Sequence, residues 1–211
     1  VTVGKVRKFY LHRDLLVAES EKFSRQLNGA FKEASENAVE LDEDPELFGY
    51  FVEYIYRNRS VLSRDVGHYS EYITLARLYA MAERLIAPGL QSHCLWRFTK
   101  PLTTDTKISE EVICDLLEIA CTEIPERIKK DALRSQIFWY AGVKLSSLQK
   151  SDMFRQLLCD VPEVGHQVCL MVNQGQPPKP AMPNELNYDK FKQESEYSMR
   201  RTIKPSSTGT K

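Results

Sequence analysis

The sequence predicts an α+β protein, a small sheet near the N-terminus carried by a larger set of helices. Three observations lead there. Short alternating segments precede residue 42, apolar residues then recur at helical spacing as far as residue 172, and Gly- or Pro-containing breaks separate the runs. At 211 residues the chain suits one large or two small globular units. It is 42% hydrophobic, 10% aromatic and 27% charged, which excludes collagen-like, coiled-coil and wholly disordered classes.

Taken in order, Val1-Thr2-Val3 followed by Gly4 predicts a strand and its turn, and Lys8-Phe9-Tyr10-Leu11 the second strand of a hairpin. From His12 the period changes. Leu15, Leu16, Phe23 and Leu27 recur at helical spacing and Gly29 punctuates them, which predicts two short helices. Ala38 to Leu41 alternates, predicting a third strand with Val39 and Leu41 on one face. Asp44-Pro45-Glu46 is a helix start: the carboxylate accepts from orphaned backbone N–H groups, proline fits the first helical position, and Glu46 complements the dipole. The buried stripe of that helix is expected at Leu47, Phe48, Phe51, Val52, Ile55 and Tyr56.

Residues from Arg57 to His68 are polar and predict a long loop. A helix over Tyr72 to Leu85 follows, its apolar side formed by Leu75, Ala76, Leu78, Tyr79, Ala82, Leu85 and Ile86, and another covers Leu90 to Phe98 after Pro88. Pro101 and three threonines make residues 100–108 the expected linker between a first domain, 1–99, and a helical extension, 109–172. Ser109 with Glu110 and Glu111 is an N-cap with an acidic first turn, leading into Val112, Ile113, Leu116, Leu117 and Ala120. Pro125 opens a short helix, Ala132 to Leu148 reads as a longer one, and Met153 to Leu158 and Pro162 to Val172 supply two more. Beyond Val172, Pro177, Pro178, Pro180 and Pro183 crowd together and large aliphatics dwindle, so residues 173–211 are expected to be a disordered tail.

Charge and cysteine usage narrow the partners. Lys plus Arg and Asp plus Glu balance at 29 each, leaving no net field to attract nucleic acid. No stretch approaches the roughly 18 apolar residues of a membrane helix, so no membrane partner is expected. The chain opens on Val1 with no basic stretch and apolar core of a secretory signal in view. Cys94, Cys114, Cys121, Cys159 and Cys169 are odd in number, sit in apolar helical patterns and form no CxxC pair. Reduced structural thiols in an intracellular protein, cytoplasmic or nuclear, are the expectation.

Catalytic and ligand-holding devices are not visible. The sequence has no GxSxG elbow, catalytic-cysteine signature or HExxH, and its nine glycines form neither GxGxxG nor GxxxxGK. No catalytic residue, cofactor or metal is therefore expected. His93 and Cys94, adjacent on a helix, point about 100° apart. His12 reads as a hydrogen-bonded core or capping imidazole, and Trp96, Trp139 and Tyr140 as buried packing aromatics. An enzyme with an unrecognised pocket among the aromatic-rich C-terminal helices is the alternative from another class.

The string Phe9-Tyr10-Leu11-His12-Arg13-Asp14-Leu15-Leu16, followed by Ser20, Phe23, Leu27, Gly29, Phe31-Lys32-Glu33 and Val39-Glu40-Leu41, resembles a BTB/POZ domain. Asp44-Pro45-Glu46, Phe48, Phe51-Val52 and Tyr54-Ile55-Tyr56 resemble the third helix of that family, and Leu75 to Leu85 its leucine-tyrosine-alanine-basic-leucine helix. The resemblance covers about residues 1–99, and its wording is similar to BTB proteins of filamentous fungi. Residues 109–172 resemble, more loosely, the helical extension of many such proteins. Two departures stand out: the family's first strand usually begins before the position of Val1, and residues 57–68 exceed its compact turn.

The resemblance implies a small mixed sheet flanked by a helical cluster, and a protein interaction module rather than an enzyme. It implies a homodimer in which Val1, Val3, Leu15 and Leu16 meet their mates, with Asp14 at an acidic position of the dimer groove. Leu15 and Leu16 read equally well as core within one chain, and Asp14 as a helix-start charge. Some BTB proteins carry substrates to a cullin-based ubiquitin ligase, using a hydrophobic residue, any residue and an acid after the third helix. Tyr69-Ser70-Glu71 fits, with Tyr69 filling a pocket and Glu71 at its rim. Glu71 also suits the N-terminus of its own helix.

Overall fold

The computed structural model describes residues 1–29, 32–57, 68–102, 108–124, 131–172, 174–176 and 178, all within one compact unit spanning residues 1–181. Strands β1 (Thr2–Val3), β2 (Arg7–Lys8) and β3 (Glu40–Leu41) form a sheet in the order β2-β1-β3. The sheet is mixed, since β1 runs antiparallel to β2 and parallel to β3. The hairpin turns through Gly4 and Lys5, at φ 58° and 60°, with the Val6 N–H donating to the Val3 carbonyl at 3.2 Å. Two successive left-handed residues match the twist of a tight hairpin, and the first must be glycine here for a second reason. A Cβ at Gly4 would lie 3.2 Å from the Glu43 carbonyl.

Strand β2 is shorter than the predicted Lys8 to Leu11. Val1 and Phe9 exchange backbone hydrogen bonds at 2.8 Å each way, and Tyr10 and Leu11 lie outside the strand. Their side chains keep the strand alternation all the same: Phe9 and Leu11 are half-buried while Lys8 and Tyr10 are exposed. Val39 and Leu41 are buried together, as their alternation predicts.

Helices α1 (Arg13–Glu19), α2 (Glu21–Asn28) and α3 (Lys32–Glu36) cross over between β1 and β3. Ser20 starts α2: its Oγ accepts from the Phe23 N–H at 3.3 Å and its hydroxyl donates to the Leu85 carbonyl at 2.5 Å. Helix α3 was not among the predicted elements, because Lys-Glu-Ala-Ser-Glu has no large apolar side chain to mark a face. Asp44 caps α4 (Pro45–Tyr56) as expected, accepting from the Glu46 and Leu47 N–H groups at 2.6 and 3.2 Å. The buried face of α4 is rotated from the predicted stripe. Phe48, Phe51 and Tyr54 are its buried residues, Leu47, Val52 and Ile55 are half-buried, and Tyr56 is 43% exposed. Tyr56 reaches outward to His12 instead, while Tyr54 turns toward α6.

Helix α5 (His68–Arg84) begins four residues before the predicted start and packs against α4, α6 (Pro88–Leu102) and α7 (Glu110–Thr122). Contact on several sides explains why Ala80 and Met81 are buried along with the predicted Leu75, Ala76, Leu78, Tyr79, Ala82 and Leu85. Ile86 departs from expectation. It adopts φ 52° and is 40% exposed, ending α5 in the left-handed conformation while the Ala87 N–H donates to the Ala82 carbonyl.

Beyond α7 come α8 (Ala132–Val143), α9 (Leu145–Leu148), α10 (Asp152–Asp160) and α11 (Pro162–Met171). Ser109 caps α7 by accepting from the Val112 N–H. The single helix expected over Ala132 to Leu148 is broken at Lys144, whose backbone leaves the helical region at ψ 5°. Gly142 sits just before the break, where a Cβ would lie 3.2 Å from the Met171 backbone, so its hydrogen is what lets α8 approach α11. The expected loop is described only at Arg57 and from His68, where α5 begins. Residues 103–107 of the expected linker and the short helix at Pro125 lie outside the described residues, and α6 itself extends to Leu102. Most of the expected tail also lies outside them. Within it, the Gln174 and Pro178 carbonyls accept from Trp139 Nε1 and the Gln136 side-chain amide.

One cluster of buried side chains runs from Val3 to Met171. A hydrogen bond links α5 to the start of α8: the Tyr79 hydroxyl donates to Asp131 Oδ2 at 2.7 Å, while Asp131 Oδ1 caps α8 through the Arg134 N–H. Burial and the Asp131 carboxylate both hold the Tyr79 hydroxyl protonated, pushing its pKa up. Cys94 and Cys114 are buried, and desolvation raises both thiols, Cys114 to about 11. Cys159 and Cys169, by contrast, are exposed.

Candidate interaction surface

A cleft of about 610 Å³ opens between the hairpin, the start of α1 and the segment leading into β3. Its floor is apolar, contributed by Phe9, Leu11, Leu16, Leu27 and Val39. Lys8, Tyr10, His12 and Arg13 stand around it. Tyr10 is 92% exposed, and Val6 at the hairpin tip is 86% exposed, the two most exposed large apolar side chains of the described residues.

Local chemistry positions this rim. The His12 N–H donates to the Tyr56 hydroxyl at 2.9 Å, and that hydroxyl lies 2.7 Å from His12 Nδ1. His12 is thus an exposed imidazole tied to α4, neither a core residue nor a side-chain cap of α1. Arg13 ties three segments together, donating to the Leu27 carbonyl at 2.5 Å, Asn28 Oδ1 at 3.0 Å and Asn37 Oδ1 at 3.4 Å.

The site residues expected from sequence fall in two places. Val1 is half-buried and, with the buried Leu16, lines the cleft. Val3 is 0% exposed and Leu16 3%, so both are held inside the subunit. Leu15 is half-buried on α1 and Asp14 is exposed in its first turn. Tyr69 and Glu71 lie elsewhere, in the first turn of α5. Glu71 accepts from Arg97 Nε on α6 at 2.7 Å in a pair that is about three-quarters buried. One turn before Arg97, His93 packs between the Tyr54 and Trp96 rings, its pKa lowered first by burial and then by Arg97. Trp96 is 49% exposed, contrary to the expected burial, whereas Tyr140 is buried and Trp139 half-buried.

Sequence reasoning did not single out Lys8, Tyr10 or Arg13 as site residues. The alternation from Lys8 to Leu11 carried the signal for the first two. Among the described residues, no group of three or more His, Cys, Asp or Glu side chains is placed to hold a metal ion, and no helix is long and apolar enough to cross a membrane. Between α6, α7 and α8 lies an apolar hole of about 10 Å³, bounded by Phe98, Ile113 and Ile137 among others.

A mixed three-stranded sheet packed in a helical cluster thus carries an open apolar cleft beside an exposed hairpin. The model of the BTB/POZ domain family matches residues 1–100. Those residues form a BTB/POZ domain, and that region is a protein-protein interaction module. No curated protein matches the chain.

Proposed function

We propose that this BTB/POZ domain self-associates through the face formed by the hairpin and α1 and presents its cleft to a partner polypeptide. The observation that carries the reading is the apolar exposure of the hairpin and α1: Val6 and Tyr10 stand almost wholly in solvent, and Val1 and Leu15 are only half-buried. Such surface gains from being covered. Val3 and Leu16, being interior, would support the interface from beneath, and Asp14 would lie at its edge. Residues 109–172 act as a buttress on α5, a role supported by the Tyr79–Asp131 bond. Five cysteines without disulfides favour an intracellular setting, cytoplasmic or nuclear.

Sedimentation velocity tests the self-association. The wild-type chain is expected to sediment as a dimer at micromolar concentration, and Leu15→Asp, with unchanged far-UV circular dichroism, to weaken the dimer at least tenfold. A wild-type chain that stays monomeric at high micromolar concentration overturns this part of the reading.

A second reading, a substrate adaptor for a cullin-based ubiquitin ligase, is favoured by the placement of Tyr69-Ser70-Glu71 at the outset of α5. There the Arg97 guanidinium fixes the Glu71 carboxylate. A purified cullin N-terminal domain is expected to bind the chain and to lose at least tenfold in affinity on Tyr69→Ala. Equal binding by wild type and variant removes Tyr69 as the contact.

A further inference from the structure

Helix α8 packs against α6, α7 and α11, and Gly142 brings it against the Met171 backbone. Gln136, Trp139 and Val143, at helical spacing i, i+3 and i+7, share one side of it. The chain beyond α11 returns to that side. The Gln174 N–H donates to the Met171 carbonyl at 3.0 Å, a turn that ends α11 next to Gly142. Trp139 Nε1 then donates to the Gln174 carbonyl at 3.0 Å, and the Gln136 side-chain amide donates to the Pro178 carbonyl. Gln136 is 3% exposed and Pro178 is half-buried, whereas Gln174, Gly175 and Gln176 are exposed. The segment is thus held at its two ends and free between them.

Both donors meet main-chain carbonyls, so what this side of α8 reads is a backbone conformation, extended and with carbonyls unspent on secondary structure. Proline enforces that state. Its ring fixes φ, it brings no N–H, and the polyproline II helix makes no internal hydrogen bonds. An indole that offers a ring face and an N–H together suits such a chain. The segment here reads Gln174-Gly175-Gln176-Pro177-Pro178-Lys179-Pro180. We propose that the side of α8 bearing Gln136 and Trp139 is a receptor for proline-rich extended segments, filled at rest by residues 174–178 of the same chain, which a proline-rich segment of another polypeptide displaces. Exchange is feasible because the described hold is slight and leaves Gln174 to Gln176 in solvent. The tether sets the threshold, since it presents the chain's own segment at an effective concentration on the order of millimolar. The site lies outside residues 1–100, so it goes beyond the interaction-module reading, and either can fail without the other.

Two measurements on the full chain test it. The first is acrylamide quenching of Trp139, made the sole reporter by Trp96→Phe, since the sequence holds two tryptophans. Adding Pro177→Gly and Pro178→Gly is expected to raise the quenching constant at least twofold. An unchanged constant overturns the docking, and protection that grows with chain concentration overturns its intramolecular form. The second is fluorescence anisotropy of labelled Gln-Gly-Gln-Pro-Pro-Lys-Pro, with Gln-Gly-Gln-Gly-Gly-Lys-Gly as control. The double-glycine chain is expected to bind the proline peptide at least tenfold more tightly than the wild-type chain does, and at least tenfold more tightly than it binds the control. Equality in either comparison overturns the proposal. Trp139→Phe in the double-glycine chain keeps a ring but loses the N–H, and is expected to weaken binding at least fivefold with far-UV circular dichroism unchanged. Undiminished binding by that variant overturns the assignment of Trp139.

Discussion

Phe48→Ala is expected to lower the free energy of unfolding by about 4 kcal/mol. The Phe48 ring is 0% exposed and stands where three elements meet. Phe9 from the hairpin meets it edge-on at 5.0 Å, Phe51 lies 5.5 Å away on the same helix, and Phe23 from α2 lies at 6.4 Å. Removing it opens a hole bounded by rings that are themselves fixed by backbone, so the gap cannot close cheaply. Since native domains are stable by roughly 5–15 kcal/mol, a loss of this size leaves the protein near its threshold. Urea unfolding followed by circular dichroism reads the effect as a lower midpoint at unchanged slope. A loss no greater than that of an ordinary surface substitution would mean that the four rings do not form one packed unit.

Arg134→Ala is expected to cost about 3 kcal/mol, for a different reason. Arg134 is 5% exposed, and its guanidinium closes the end of α7 by donating to the Ala120 and Ile124 carbonyls at 2.5 and 3.2 Å. It also reaches Glu163 in the first turn of α11 and stacks over the Phe138 ring at 5.3 Å. The Glu163 side chain is 40% exposed, so water compensates it when the arginine is gone. The two buried carbonyls have no such recourse, and each unpaired group costs roughly 1–3 kcal/mol. Arg134→Met therefore should fare little better than alanine, although it restores much of the volume. Full recovery by methionine would show that packing, not hydrogen bonding, carries the residue.

Much of the architecture is readable where chemistry is local. Asp44 and Ser109 announce α4 and α7 because an N-cap and its acceptor bonds lie within three residues. Val39 and Leu41 declare a strand because alternation needs only adjacent positions. Where tertiary neighbours decide, reading fails in identifiable ways. Tyr54 and Tyr56 are alike to any pattern, yet one is enclosed near α6 and the other meets His12 in solvent. Helix α3 has no apolar face to detect, and the break at Lys144 carries no proline. At the candidate site, the sequence names Val1, Val3, Leu15 and Leu16 as a group, but only packing separates those the subunit covers from those it leaves open. Arg13 escapes for the same reason, its partners lying at the end of α2 and at Asn37.

The parallel pairing of Thr2 with Glu40 also sets a schedule for assembly. On a chain leaving the ribosome the hairpin strands are near neighbours, but β3, the other partner of β1, emerges only after α1, α2 and α3. Until then one flank of β1 is bare backbone, a template for any passing extended segment. Between synthesis of the hairpin and arrival of Glu40, the nascent chain therefore carries an unpaired strand edge that the folded chain covers.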